Sequence, residues 1–160
     1  MRIHDEFDYV YNEYSKSLFN IAYGYLKNKD DSADIVQTVF LKALAKNNDF
    51  SSYDEIKYYL IRITINSCLD FLKSSYKKKT ILNNEIVLNS KSSFIEDSSN
   101  LDLIVAIDKL SPKYKAVIIL YYYELLSIKD IANTLKISID ATKKRLERAK
   151  KMIKTLIERN

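Results

Sequence analysis

Glycine and proline are almost absent: Gly24 and Pro112 are the only examples in 160 residues. Strand-and-turn folds need tight turns and backbone positions with positive φ, where glycine alone meets no steric resistance, so the shortage points to an all-α protein. It also excludes phosphate-cradling loops, because one glycine builds neither a P-loop nor a dinucleotide fingerprint. Cysteine and histidine are equally scarce. Cys68 and His4 stand alone, which excludes a Cys/His metal cluster and a Cys–His catalytic pair, so no metal and no cofactor is expected. Cys68 falls in a helical apolar pattern and reads as a buried structural thiol. A single cysteine makes no intramolecular disulfide, in keeping with a reducing compartment. Long apolar runs are missing too. No stretch approaches the roughly eighteen residues a membrane-spanning helix needs, and the opening MRIHDEFDYV is acidic without the apolar region of a signal peptide. The expectation is a cytoplasmic protein without membrane insertion. No spacing joins a nucleophile to a base, so no catalytic residue is assigned and no enzyme is expected.

An apolar content of 47% beside 29% charged residues is ample for a core, in one domain or two small ones. Three helical patterns fill the first half. Phe7, Val10, Tyr11, Tyr14, Leu18, Ile21, Ala22 and Tyr25 recur at three-and-four spacing, predicting a long helix that ends near residues 27–30. A second runs from about Ser32 to Lys46 with Val36, Val39, Phe40, Ala43 and Leu44 inward. A third starts after residues 52–54 and carries Ile56, Tyr59, Leu60, Ile63 and Leu69 to about Lys73. Residues 74 to 100 are rich in Ser and Asn and lose the helical period, although Ile86, Val87 and Leu88 could pack locally. The predicted organisation is two small helical domains, 1–75 and 101–160, joined by a flexible linker over 76–100. In the second, a helix over 101–110 follows a possible Asn100 cap, and Ser111-Pro112 restarts the chain with proline at its favoured first helical position. Another helix is expected over 113–123.

The most informative stretch follows. Ser127 is a good N-cap, and Asp130 completes a capping-box pattern over Ile128, Ile131, Ala132 and Leu135. Residues 136–138 break that period, and Ser138 can cap a second helix with Thr142, Leu146, Ala149 and Ile153 on its inner stripe. This is the layout of a helix-turn-helix, whose second helix enters the major groove. Charge is placed to match. From Lys136 onward nine Lys or Arg face three acids, a balance of +6, whereas the whole chain carries +5 and the remainder about −1. A basic segment on a neutral body is the footprint of a phosphate-binding surface; the bland alternative is a solvated helix face.

Two surfaces stand out in the first half. On the second helix Asp34, Gln37, Thr38 and Leu41 share a stripe at i, i+3, i+4 and i+7. A carboxylate for a partner Arg, an amide for hydrogen bonds and a leucine anchor make a docking patch, or simply a polar face with an incidental leucine. On the third helix Tyr58, Arg62 and Asn66 lie at i, i+4 and i+8, after a polar stretch, 46–53, that contains Asn48, Phe50 and Ser52. Aromatics that stack bases and cations that meet phosphates suit single-stranded nucleic acid, and an asparagine amide can read an unstacked base edge. The alternative is that the tyrosines belong to the core.

Together these segments resemble the extracytoplasmic-function type of sigma-70 RNA polymerase sigma factor. The D-x-x-Q pattern is present as Asp34-Ile35-Val36-Gln37 followed by Phe40. YLIRITINSCLDFLK, from Tyr59 on, is similar to the family's W-L-x-x-I-A-x-N-x-x-x-D-x-x-R, with Tyr59 for Trp, Thr64 for Ala and Lys73 for Arg, while Leu60, Ile63, Asn66 and Asp70 match. From Leu110 the chain follows the family's region-four pattern, with Thr142 where Val is common. Leu125 and Lys136 occupy positions that are often Gly; a left-handed Lys136 would cost about 1 kcal/mol. The resemblance implies a transcription initiation factor that directs core polymerase to promoters and melts them with its N-terminal domain. It implies partners as well: the largest subunit's clamp helices for Asp34, Gln37, Thr38 and Leu41, the second-largest subunit's flap, promoter DNA, and a possible anti-sigma factor. A melted minus-ten base would meet Asn48, Phe50, Ser52, Tyr58, Arg62 and Asn66. The minus-thirty-five element would meet Ser138, Lys143, Lys144, Glu147 and Arg148. Of these, Lys143, Lys144 and Arg148 suit phosphates and purine acceptors and Glu147 a cytosine amine, although Glu147 could equally pair with Lys143 or Lys151. Its place would be the cytoplasm, nucleoid-associated when bound to polymerase. The competing expectation is a stand-alone helix-turn-helix repressor or activator that binds DNA without polymerase.

Overall fold

The computed structural model describes the backbone of residues 1–82 and 101–159, and the side chains of 1–75 and 102–159. The described residues are all-α, with one isolated antiparallel bridge, between Arg2 and Asp49. The chain divides into two compact units, Met1–Lys91 and Ser92–Asn160.

Three helices build the first unit: α1 (Phe7–Leu26), α2 (Lys29–Lys46) and α3 (Tyr53–Leu82). Val10, Leu18, Ile21, Val39, Ile56, Leu60 and Ile61 are fully enclosed between them, and each such side chain contributes about 1.5–3 kcal/mol by leaving water. The α1–α2 connection is two residues long. Lys27, in the left-handed region at φ 54°, closes α1 through its N–H to the Tyr23 carbonyl, and the Asn28 side chain caps α2 by accepting the Asp31 N–H at 2.9 Å. That cap moves the start of α2 three residues ahead of the expected Ser32. Cys68 is buried, as its pattern predicted.

α3 departs from expectation at its other end. It continues to Leu82, where the Ser/Asn-rich composition had suggested a stop near Lys73. Lysine, leucine and tyrosine tolerate helix, and residues 74–82 hold no proline or glycine to break it. The remaining linker expectation, with Ile86, Val87, Leu88 and the Asn100 cap, lies outside the described residues.

The second unit contains α4 (Leu101–Lys109), α5 (Pro112–Ile118), a π-helical turn (Ile119–Tyr123), α6 (Ile128–Leu135) and α7 (Ile139–Glu158). The expected helix over 113–123 is therefore not uniform: it widens into π geometry after Ile118. Val117, Ile118, Ile119 and Leu120 are all enclosed. Four consecutive buried side chains exceed what one face of a 3.6-residue helix covers, and a wider turn brings more of them inward. Lys115 is buried beside Asp108, its Nζ 3.2 Å from the Asp108 carboxylate, and ties α5 back to α4.

Candidate functional site

In the second unit the helix-turn-helix forms as its pattern predicts. Ser127 Oγ accepts the Asp130 N–H at 3.1 Å and Ser138 Oγ accepts the Ala141 N–H at 3.0 Å, caps worth about 1 kcal/mol each. Between them Lys136 adopts φ 57°, ψ 47° and sends its N–H to the Ala132 carbonyl, and the Ile137 N–H reaches the same oxygen at 3.1 Å. The turn thus closes in three residues. On α7 Thr142, Leu146, Ala149 and Ile153 are buried. That stripe fixes the rotation of the helix and turns Lys143, Lys144, Glu147 and Arg148 to the outside, where all four are exposed. Ser138 is exposed as well; its cap uses the oxygen lone pair, which leaves the hydroxyl hydrogen to donate to a phosphate. Glu147 pairs with Lys151 at 3.4 Å. With both side chains largely exposed that pair is weak and leaves the carboxylate able to exchange partners. One further cation is held rather than free: Lys150 Nζ lies 5.4 Å and 5.8 Å from the Tyr121 and Tyr122 ring centroids.

In the first unit Asp34, Gln37, Thr38 and Leu41 are all exposed, and Leu41, at 68%, is the exposed large apolar side chain of its helix. Burial of Ile35, Val36, Val39, Phe40 and Ala43 sets this orientation. Asp34 and Gln37 also line a shallow groove of about 350 Å³ between α1 and α2, whose other wall is Tyr11, Ser15, Lys16 and Phe19. The α1 wall is part of the surface that sequence reasoning missed, because helix periodicity assigned Tyr11 to the core. Tyr11 is 44% exposed and its ring lies tilted against Phe40, 5.2 Å between centroids.

The stretch before α3 is ordered by several contacts. Asn47 ends α2 at φ 51°. Ser52 Oγ accepts the Glu55 N–H at 3.1 Å, while the Glu55 carboxylate accepts both the N–H and the hydroxyl of Ser51 at 2.6 Å. These two bonds hold the Glu55 carboxyl below its ordinary range. The Ser52–Glu55 spacing is that of a capping box, so this signal was readable. Asn48 and Ser52 remain exposed, but Phe50 does not. It is only 7% exposed, and its ring rests on Tyr59 at 5.2 Å. As a base-stacking residue Phe50 is corrected: an apolar ring in a polar loop is driven under it, where it fixes the loop instead of presenting a face to a base. Tyr59 in turn carries the Arg62 guanidinium 5.8 Å above its ring, and burial raises the Tyr59 pKa. Tyr58 and Arg62 are half-buried and Asn66 is exposed. Arg62 and Asn66 share one face, about 6 Å apart along the axis at 1.5 Å per residue. The surface therefore runs from the loop through Tyr59 and Arg62 to Asn66.

Among the described residues no group of three or more His, Cys, Asp and Glu could hold a metal ion, and no helix is long and apolar enough to cross a membrane.

Residues 10–78 match the family model for Sigma-70 region 2, and residues 100–153 that for Sigma-70, region 4. RNA polymerase sigma factor SigV of Bacillus subtilis is 30% identical over 142 residues, 89% of this chain and 85% of that protein. ECF RNA polymerase sigma factor SigW of the same organism is 25% identical over 165 residues, 94% of this chain and 88% of its own length. Two solved structures share the fold. Sigma factor RpoE in complex with the anti-sigma factor NepR, from Bartonella quintana, has a TM-score of 0.67 at 22% identity and covers 96% of this chain and 97% of its own. CnrH in complex with the cytosolic domain of CnrY has a TM-score of 0.68 at 20% identity, covering 98% and 90%.

Proposed function

Since the chain belongs to the extracytoplasmic-function type of sigma-70 factor, the initiation factors that direct RNA polymerase to promoters, we propose that its two units grip one promoter at two places. The second unit reads the duplex minus-thirty-five element through α7. The observation that carries this is the division of that helix: a buried stripe from Thr142 to Ile153 sets its rotation, and Lys143, Lys144 and Arg148 stand on the opposite side behind the Ser138 cap. Arg148 suits a bidentate contact to guanine, the two lysines meet phosphates, and Glu147 accepts from a cytosine amine once it leaves Lys151.

The first unit docks on the clamp helices of the largest polymerase subunit with Asp34, Gln37, Thr38 and Leu41, extended by the groove wall on α1, while the second-largest subunit's flap engages the second unit. Asn48 and Ser52 of the loop, with Tyr58, Arg62 and Asn66 of α3, hold an unpaired minus-ten base. The polymerase supplies the chemistry, and this subunit acts in the cytoplasm as a non-catalytic specificity factor. The complex of RpoE with the anti-sigma factor NepR suggests a regulatory partner of that class here too.

Run-off transcription with core polymerase tests the proposal, on fragments that include the region upstream of the chain's own gene. A discrete transcript that depends on the added protein is the expected result, with weak duplex binding in its absence. Tight, polymerase-independent footprints on palindromic DNA, with no specific transcript, would instead identify a stand-alone repressor or activator.

A further inference from the structure

The loop between α2 and α3 is fastened by the segment before α1, which no motif of this chain had singled out. The Phe50 N–H donates to the Met1 carbonyl at 2.7 Å, and the Met1 amino group donates to the Phe50 carbonyl at 2.6 Å and lies 2.7 Å from Asp49 Oδ1. One residue on, Arg2 and Asp49 form an antiparallel bridge. Ile3 is 2% exposed and is among the largest fully enclosed side chains of the protein. Glu6 accepts the Tyr53 hydroxyl at 2.7 Å where the loop turns into α3, which raises the Tyr53 pKa. Tyr9 packs its ring on Tyr53 at 4.5 Å, and the Tyr14 hydroxyl donates to the Tyr53 carbonyl at 3.3 Å. Backbone pairing, a buried anchor and a charge-assisted bond thus converge on residues 49–53 from one side, while Asn48 and Ser52 stay exposed.

We propose that residues 2–6 are a strap that holds the loop pre-organised for capture of the unpaired promoter base, with Ile3 and Glu6 as positioning residues. This rests on the reading of the loop as the minus-ten site. An exposed polar loop of this length, unfastened, samples many conformations, and ordering it at the moment of binding subtracts from affinity. A strap built on the first unit removes that loss beforehand without touching DNA. It also explains why an exposed loop contains a buried phenylalanine: Phe50 is the point at which strap, loop and α3 meet.

The experiment uses the full chain assembled with core polymerase. Its probe is fork-junction DNA, duplex at minus thirty-five and single-stranded at minus ten, built on the promoter mapped by run-off transcription. Glu6→Ala and Ile3→Ser are expected to weaken fork-junction binding by about tenfold, with core-polymerase affinity and binding to the duplex upstream element unchanged. Glu6→Gln, whose amide oxygen still accepts the Tyr53 hydroxyl, should bind as the parent does. Tyr53→Phe, which removes only that hydroxyl, covers the case in which Ile3→Ser fails to fold. Unchanged fork-junction binding in Glu6→Ala and Tyr53→Phe overturns the strap, as does a loss matched by loss of core affinity or not restored in Glu6→Gln. An abasic nucleotide at the unpaired position separates the two ideas. A parent holoenzyme indifferent to it refutes the minus-ten reading and the strap together; a sensitive parent with unaffected variants refutes the strap alone.

Discussion

Leu125 and Lys136 hold φ at 56° and 57°, two of four left-handed residues among those described, none of them glycine. For a residue with a Cβ this conformation costs about 1–2 kcal/mol, partly offset by the greater freedom glycine has when unfolded. Leu125 is 80% exposed, so its removal forfeits almost no burial. Leu125→Gly and Lys136→Gly should therefore each stabilise the second unit by up to about 1 kcal/mol, raising its thermal midpoint by about 4–8 °C per kcal/mol for a unit of this size. Circular dichroism melting checks this, and a lowered midpoint would show that the strain is relieved elsewhere. A second residue-scale prediction concerns Glu55, whose pKa is lowered by the Ser51 hydroxyl and N–H. A carboxyl depressed on folding contributes above its unfolded pKa and stops doing so as pH falls through the folded one. The Ser51 amide resonance should thus hold its position through the ordinary glutamate midpoint of about 4.3 and shift only below it, and a Ser51 shift centred at or above that midpoint would refute the bond. In Ser51→Ala loss of the hydroxyl bond should bring that transition closer to the ordinary value, with the remaining N–H bond still holding it lower.

At the scale of the element, α2 presents an outer stripe that contributes nothing to its own core, so its prediction separates binding from folding. Leu41→Asp should leave the melting curve within about 0.5 kcal/mol of the parent, as exposed substitutions do, yet lower affinity for core polymerase at least tenfold by placing a charge where an apolar anchor sits. Equal affinity in a pull-down titration would remove the stripe from the interface. The same helix shows what the sequence could and could not tell. Its existence, its buried face and its exposed outer stripe were legible because Val36, Val39, Phe40 and Ala43 repeat at helical spacing, and α7 was legible for the same reason together with its Ser138 cap. Periodicity is local, and it failed where the determining contact is distant. Nothing near Phe50 announces that its ring packs on Tyr59 and its backbone pairs with Met1, and nothing near Tyr11 reveals a groove wall rather than core. The π turn at Ile119–Tyr123 escaped for another reason, since four adjacent apolar residues satisfy any helical period.

On the scale of the whole molecule, the proposed division of one task between two compact units would be read in kinetics. Duplex contacts by α7 act before melting, so they set how much polymerase is needed to occupy the promoter. Contacts to an unpaired base exist only after melting, so they set how much of the occupied promoter opens. Arg148→Ala should therefore raise the polymerase concentration for half-maximal run-off by about tenfold, with the plateau kept, whereas Lys144→Ala, which removes a phosphate contact, should reduce the slope of log affinity against log salt by about one. Asn66→Ala should keep that half-maximal concentration and lower the plateau, with permanganate reactivity of the melted thymines falling in proportion. Because Arg148 and Asn66 belong to different compact units, the double variant should show both defects with free energies additive to within about 0.5 kcal/mol. A plateau defect from Arg148→Ala, or strong non-additivity in the pair, would mean that duplex reading and melting are one event and that the two units do not act as separate grips.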